Sequence, residues 1–589
     1  MLGFLKNVLA TIVGLGLFFF VLIVIVIAMV MSAMPEKKDN IADNSVLRLK
    51  LDAPITEREP DNFLSRFQPF SGSESSIGLI ELKEAIAAAK TDSSIKGIYL
   101  DAPMVNAGFA TLQELRAALE DFKTSKKFVV AYGEFYTEKG YYIASVADKI
   151  YLPPTGMMEL NGLESQLIFL KGALEKLELK PEIFKVGEYK SAVEPLILDK
   201  MSEPSRRQTL SFLTSINNSY LADIAKDRKI DASLLAIISD SMLVKTAKDA
   251  FERGLITNME YYDAVEAFMQ QQLKLDADEK INFISYDNYK NNRVSARPAK
   301  LGNDNETRVA VIIANGEIMS GKGDDNTIGS ESLCEQLRKA RNDKNVKAVV
   351  LRINSPGGSA LASDVIWREV NLTKKVKPII ASMSDVAASG GYYIAMACDT
   401  IVAQTTTITG SIGVFGIAFN AENFLKNKLG LTTDRVTTGK FSDIGSVTRA
   451  MTEVEKKMIQ KEVEYIYADF TTKAAEGRHI SVEQLRSVAS GRVWSGAEGK
   501  ANGLVDVYGG LNEAIKNAAA KAKITDYETQ YLPEQKNQYW NQLLTQFDDE
   551  NEEALIKQLG IFYPYLKSIK NVKKLEGVQA RLPFEIDFK

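Results

Sequence analysis

The chain has one histidine in 589 residues, His479, and only two cysteines, Cys334 and Cys398. HExxH zinc sites, multi-histidine metal centres and facial triads each need at least two imidazoles, so this sequence can build none of them. The cysteines lack CxxC spacing and stand in apolar or helical contexts, which argues against a zinc ribbon or a disulfide framework and predicts two small buried side chains. A Ser-His-Asp triad would have to use His479, in the polar run EGRHISVEQLRS. That run predicts a helix end followed by Ser481 as an N-cap, with Glu483 and Gln484 behind it, and so a solvated place for a catalytic base. An excess of positive charge is missing too. The formal net charge is −4, which leaves no electrostatic footprint for nucleic acid.

What the chain has is apolar material, 45% of it, enough to fill at least two cores of ordinary domain size. From Val8 to Met34 the apolar run is broken only by Thr11, Ser32 and glycines. At roughly 27 residues it exceeds the ~20 needed to cross a bilayer and the ~7 to 15 of a signal-peptide core. It therefore reads as an uncleaved signal anchor, in preference to a signal peptide cut near Ser32-Ala33. Lys6 and the free amine precede the span, whereas Glu36, Lys37, Lys38 and Asp39 after it nearly cancel. The positive-inside rule then favours a cytoplasmic N-terminus, with the bulk of the chain outside the cytoplasm.

The sequence also repeats itself. Ala387 to Ala397 (AASGGYYIAMA) echoes Tyr136 to Val146 (YTEKGYYIASV), and the two GYYIA pentapeptides begin at Gly140 and Gly391. At a similar offset, Ser94 to Leu100 answers Asn345 to Leu351, and Leu243 to Ile256 answers Val493 to Val505. Such a repeat is one domain duplicated, with functional residues free to divide between the copies. In both halves short β-rich runs alternate with amphipathic helices: Val46 to Leu51, Gly97 to Leu100 and Phe128 to Ala131 in the first, Val309 to Ala314, Ala348 to Ile353 and Pro378 to Ser382 in the second. This alternation predicts α/β domains made of βαβ units. The expected division is an anchor over 1–40, a first repeat over 41–290, a linker over 291–308, a second repeat over 309–533 and a C-terminal extension over 534–589. The extension has no counterpart in the first half, and its aromatic and Lys/Glu mixture suggests helices packed on a neighbour or a solvated extension.

The chemistry concentrates in the second half. Asn354-Ser355-Pro356-Gly357-Gly358 follows directly on the strand AVVLRI, at the strand end where open α/β sheets place their ligands. Its glycines let the backbone come close to a substrate and leave N–H groups free for a developing oxyanion. A second turn follows the strand PIIAS and a loop, with Ser389-Gly390-Gly391 opening a helix. A serine there is ordinarily a cap, but Gly390 N–H is placed to share an oxyanion hole with Gly358. A serine nucleophile needs a base, and a lysine can serve if burial lowers its pKa from about 10.4 towards roughly 7 to 8. Aligning Gly187 in KVGEYKSAVEP with Gly439 in TTGKFSDIGS sets Lys190 opposite Ser442, while Ser389 stands opposite Glu138. Each half lacks one member of a Ser/Lys pair and the other half has it. Lys440, opposite Glu188, is expected to be solvated.

NSPGG, SDVAASGGYYIA, the TGSIGV run at Thr409 to Val414, GKFSDIGS and GRVWSGAEGKANGLVD at Gly491 to Asp506 together resemble the signal peptide peptidase A family. GEYKSAVEP is similar to the lysine segment of that family's long, two-domain form, and the likeness runs from the anchor to about Pro533. The resemblance implies two tandem ClpP/crotonase-like domains behind one N-terminal transmembrane helix. It implies a Ser/Lys endopeptidase, assembled as a homotetramer, that degrades signal peptides left in the membrane after preprotein processing. It makes Ser389 the nucleophile, Lys190 the general base, Gly358 and Gly390 the oxyanion donors and Ser411 a site-lining residue. It implies no metal or cofactor, and a single-pass protein of a bacterial inner membrane with its catalytic domains on the periplasmic side. The pair could form within one chain or between neighbouring chains. Two readings from other classes stand beside it: a crotonase-like acyl-CoA enzyme, which would need a CoA site and an acid/base carboxylate, and a non-catalytic membrane scaffold, which would be expected to lose the serine or the lysine.

Overall fold

A computed structural model describes residues 41–59, 76–276, 278–294, 306–324, 326–534 and 577–582, with scattered positions before residue 23. Most of the expected anchor, 8–34, lies outside the described residues, and among those described no helix is long and apolar enough to cross a membrane.

Each half is built on a parallel sheet, and the two sheets share one strand order. In the first half the order is Asn282–Ser285, Ser45–Lys50, Ile95–Asp101, Phe128–Tyr132, Lys149–Tyr151, all parallel. In the second it is Glu528–Leu532, Arg308–Asn315, Val346–Ser355, Ile379–Ala388, Thr400–Ala403, again all parallel. Parallel strands covered on both faces read as unbroken apolar runs, which is why VAVIIA and AVVLRI stand out in the sequence. Val309, Val311, Val350 and Ile380 face a layer containing Leu511, Ala514 and Ala518, whereas Ala310, Ile312, Val349 and Leu351 face the opposite core. The helices repeat too. Glu203–Arg228 and Glu453–Arg478 are both 26 residues long and both end at a left-handed residue, Lys229 and His479.

The strand expected to stop at Ser382 instead runs on to Ala388. No loop intervenes before the helix Gly390–Ala395, because Val386 to Ala388 pair with a further parallel strand, Ile408–Gly410.

A second sheet lies across the strand ends. Its order is Thr327–Gly329, Glu317–Met319, Gly357–Ser359, Gly577–Arg581, Phe415–Asn420, Lys180–Lys185. Two segments reach this sheet from afar. Lys180–Lys185 of the first half pairs antiparallel with Phe415–Asn420 of the second, and Gly577–Arg581 of the C-terminal extension pairs antiparallel with strands on both its sides. The described part of that extension is therefore a strand within the fold, and neither a packed helix nor a solvated tail.

Buried charges also join the halves. Arg352, with no exposed surface, sends Nε to Glu57 Oε2 at 2.7 Å, Nη1 to Glu114 Oε1 at 2.7 Å and Nη2 to Ser384 Oγ at 3.0 Å. Glu114 also accepts from Lys83 and from Leu511 N–H at 3.0 Å. The two glutamates belong to the first half and the arginine to the second, so each supplies what makes burial of the other tolerable.

Candidate active site

Lys190, Ser389 and Ser411 meet in one place, and none has exposed surface. Lys190 Nζ donates to Ser389 Oγ at 2.8 Å, to Ser411 Oγ at 3.0 Å and to Ser411 O at 3.2 Å. The lysine thus crosses from the first half to a serine 199 positions away. It gets there on the arm that follows Lys180–Lys185, and the arm is fixed on several sides. Tyr189 N–H donates to Ser490 O at 3.0 Å. Gln208, on the long helix, donates to Tyr189 O at 3.0 Å and to Ser191 Oγ at 2.9 Å, and accepts from Val493 N–H at 3.1 Å.

The lysine stem passes between two glycines. A Cβ on Gly491 would lie 2.7 Å from Lys190 Cβ and N, and one on Gly413 would lie 3.3 Å from Lys190 Cδ. Gly491 is also left-handed, at φ 79°. Among the described residues no carboxylate stands against the Lys190 amine; its partners are two serines and the ring of Phe415, 5.9 Å away. Burial without a compensating charge pushes its pKa well below the usual lysine range.

Ser389 sits in strained backbone, with φ 54° and ψ −112°, at the junction of its strand and helix. It occupies the cap position, yet its side chain caps nothing. Its Oγ receives the lysine's hydrogen bond and lies 3.5 Å from Gly413 O. Non-glycine residues at positive φ are costly by about 1 to 3 kcal/mol and cluster at functional sites. Ser411, at φ 50°, is a second instance in the same place.

Gly357 and Gly358 approach from the facing strand end, both at positive φ, 100° and 156°. Gly357 N–H donates to Ser355 Oγ at 3.2 Å and is thereby occupied. Gly390 packs against Gly357: a Cβ on Gly357 would lie 2.8 Å from Gly390 N. Gly390, which follows Ser389 directly, thus stands backbone to backbone with Gly357, and a Cβ on Gly358 would lie 2.1 Å from Ile318 O, so neither turn has room for a larger residue.

The remaining candidates fall elsewhere. Lys440 and Ser442 are exposed. His479 is exposed and ends a helix just as Lys229 does in the first half. Ser481 caps the next helix, accepting from Gln484 N–H. Cys334 and Cys398 are both free and buried. Among the described residues no group of acidic, histidine or cysteine side chains could hold a metal ion. Sequence reasoning missed Gln208, whose contacts lie far off in sequence, and Gly491, which was visible only as part of GRVWSG.

The sequence profile of peptidase family S49 matches residues 121–276 and 371–525, one segment in each half. The chain belongs to peptidase family S49. It is 37% identical to Protease 4 of Salmonella typhi over 78% of this chain and 74% of that one. It is 31% identical to Protease 4 of Haemophilus influenzae over 98% and 95%. It is 35% identical to the chloroplastic serine protease SPPA of Arabidopsis thaliana, over 82% of this chain and 70% of that one. These relationships make this S49 protein a serine peptidase of the long, two-domain form.

Proposed function

We propose that the protein is a membrane-anchored endopeptidase in which Ser389 is the nucleophile and Lys190 the general base. The observation that carries this reading is the 2.8 Å contact between two fully buried groups, one from each half. A lysine held neutral by burial can accept the serine proton, and the lowered pKa of Lys190 suits that role. Ser389 Oγ attacks a peptide carbonyl while Lys190 takes its proton. The oxyanion develops against the Gly358 and Gly390 N–H groups, which cost no reorganisation because the backbone is already fixed. Lys190 then protonates the leaving amine, and water hydrolyses the acyl-enzyme. Ser411 lines the site and holds the Lys190 amine towards Ser389.

Apolar, extended peptides, remnant signal peptides among them, suit this site, because its sheet offers strand edges that pair with a peptide backbone. The apolar run over 8–34 supports a single-pass anchor in a bacterial inner membrane with the catalytic halves on the periplasmic side. A reporter fused after Asp39 tests that side. A homotetramer is the proposed assembly.

The chemistry is tested by hydrolysis of a hydrophobic fluorogenic peptide by the detergent-solubilised full chain. Ser389→Ala and Lys190→Ala are each expected to lower kcat at least 10³-fold, whereas Lys440→Ala and His479→Ala stay within about twofold of wild type. Retained activity in Lys190→Ala, with loss in either control, would remove Lys190 from the mechanism.

A further inference from the structure

Lys190 stands on an arm, and one side chain holds that arm on both sides of it. Gln208 comes from the long helix Glu203–Arg228 and has no exposed surface. Its Nε2 donates to Tyr189 O at 3.0 Å and to Ser191 Oγ at 2.9 Å, so a single amide grips the residue before the lysine and the residue after it. Its Oε1 accepts from Val493 N–H at 3.1 Å. Val493 opens the strand Val493–Ser495 of the second half, which pairs with Ile408–Gly410. The two residues before Val493 already touch the site: Arg492 O accepts from Ser411 N–H at 2.7 Å, and Gly491 packs on the Lys190 backbone. The amide therefore ties the lysine arm of one half to the segment of the other half that packs against it.

The repeat supplies a comparison within the chain. Glu203–Arg228 and Glu453–Arg478 are equally long, and position for position Gln208 stands where the second helix has Met458. Met458 is 46% exposed. The second half's counterpart of the arm, with Lys440 and Ser442, is exposed as well. The amide is thus present where an arm is docked and replaced where none is. Other bonds from the same helix serve docking: Ser211 donates to Glu498, and Ser215 shares a hydrogen bond with Ser495 at 2.7 Å. Gln208 is also uncharged. The arm is flanked by charge at Arg492, whose guanidinium lies 5.3 Å from the centre of the Tyr189 ring, and in the exposed pair of Arg207 with Glu188. Gln208 grips the arm without bringing a carboxylate to the amine.

We propose that Gln208 is the positioning residue of the base: it fixes the Lys190 arm against the second half, and so keeps the amine dehydrated and within reach of Ser389 Oγ. The proposal rests on the reading of Lys190 as the base. Without the Nε2 donors the arm loses its hold on both sides of the lysine, water reaches the amine, and a better-hydrated amine keeps its proton to higher pH. A shift of about 1 Å at the reacting atoms is enough to cost roughly 100-fold in rate.

Hydrolysis of the fluorogenic peptide by the detergent-solubilised full chain, over a series of pH values, tests this. Gln208→Met is expected to lower kcat about 30- to 100-fold with KM within about twofold. It should also move the rising limb of kcat/KM up by about one pH unit, so that its deficit narrows as pH rises. Gln208→Glu separates the two ends of the amide: it keeps an acceptor for Val493 N–H, but its carboxylate has no donor for Tyr189 O. It should lose activity as Gln208→Met does. Ser191→Ala leaves the contact between the halves in place and removes one of the amide's partners on the arm. It should lower kcat about fivefold, shift the limb in the same direction, and add little to Gln208→Met. Ser215→Ala is the docking control and should stay within about twofold of wild type. Full activity in Gln208→Glu, an unshifted limb in Gln208→Met or Ser191→Ala, or an equal loss in Ser215→Ala would make Gln208 a docking contact only and overturn the proposal, leaving the peptidase reading intact. Wild-type activity in Lys190→Ala would remove the base itself, and this proposal with it.

Discussion

Replacing Lys190, the proposed base, with methionine puts an apolar side chain of similar length in its buried place, and the effect on stability has a worked sign. On the proposed mechanism the folded wild type holds the amine neutral, in keeping with burial pushing its pKa well below the usual lysine range. The unfolded chain binds that proton up to about pH 10.4. Folding therefore releases a proton at every pH between the two values, and wild-type stability rises with pH across that window. The slope is about 1.4 kcal/mol per pH unit for one group. Methionine does not titrate, so any stability advantage of Lys190→Met should shrink by that amount per unit as pH rises, covering about 2 kcal/mol between pH 8 and 9.5. The lost hydrogen bonds to Ser389 and Ser411 cost about 1 kcal/mol each and shift the whole comparison, but they leave its slope unchanged. Urea unfolding of both proteins in one detergent, followed by tryptophan fluorescence at a series of pH values, reads the slope directly. A gap that stays constant from pH 8 to 9.5 would mean that the amine is charged in the folded state, and the argument for a neutral base would fall. The kinetics should show the same titration, with kcat/KM climbing as Lys190 loses its proton and levelling off well below pH 10.

Two further outcomes follow from the packing. Gly491→Ala adds a Cβ 2.7 Å from the Lys190 backbone at a left-handed φ, so it should displace the lysine and lower kcat about 100-fold, as measured on the fluorogenic peptide. Arg352→Met leaves Glu57 and Glu114 facing each other without their shared counter-charge. It should destabilise the chain by about 3 to 5 kcal/mol in urea unfolding, far more than an exposed pair such as Arg207 with Glu188, worth about 0 to 1 kcal/mol.

The repeat and the parallel strands were legible because buried strands of this kind are written as apolar runs, and a duplicated sheet writes them twice. The reciprocal loss of serine and lysine could be read for the same reason: an alignment of the halves exposes it without any knowledge of distance. The last turn of the serine strand could not. Ser384 and Asp385 look like loop residues, but they are strand residues whose polarity is answered from elsewhere, Ser384 by Glu57 and Arg352, and Asp385 by Thr111, whose N–H and hydroxyl donate to it at 2.9 and 2.6 Å. Glu57 and Thr111 lie 327 and 274 positions away and Arg352 lies on the neighbouring strand, 32 positions back, so local periodicity does not register them. The strand at Gly577–Arg581 escaped on similar grounds. GVQAR alternates apolar and polar over only four residues, Val578 to Arg581, too few to mark a strand, and it is held as one by the two edges it fills.

The first half shows what the division of labour leaves behind. Where the second half has Ser389, Glu138 is buried, and its Oε1 accepts from Asn161 N–H at 2.6 Å and Gly162 N–H at 2.7 Å. A carboxylate held by two backbone donors fills space that a substrate carbonyl would otherwise need, and burial raises its pKa in spite of them. Conversely, the second half's counterpart of the lysine arm ends in exposed residues, Lys440 and Ser442. Neither half alone can dehydrate a lysine beside a serine. The lowered pKa of Lys190 goes with the arm of one half being threaded between Gly413 and Gly491 of the other, so the proposed base would become competent through the docking of the halves. Under the proposed mechanism, a hydroxyl activated by a lysine that is protonated until the fold closes around it is harmless to the chain while it is being made, and reactive only once the cleft that selects its substrates is complete.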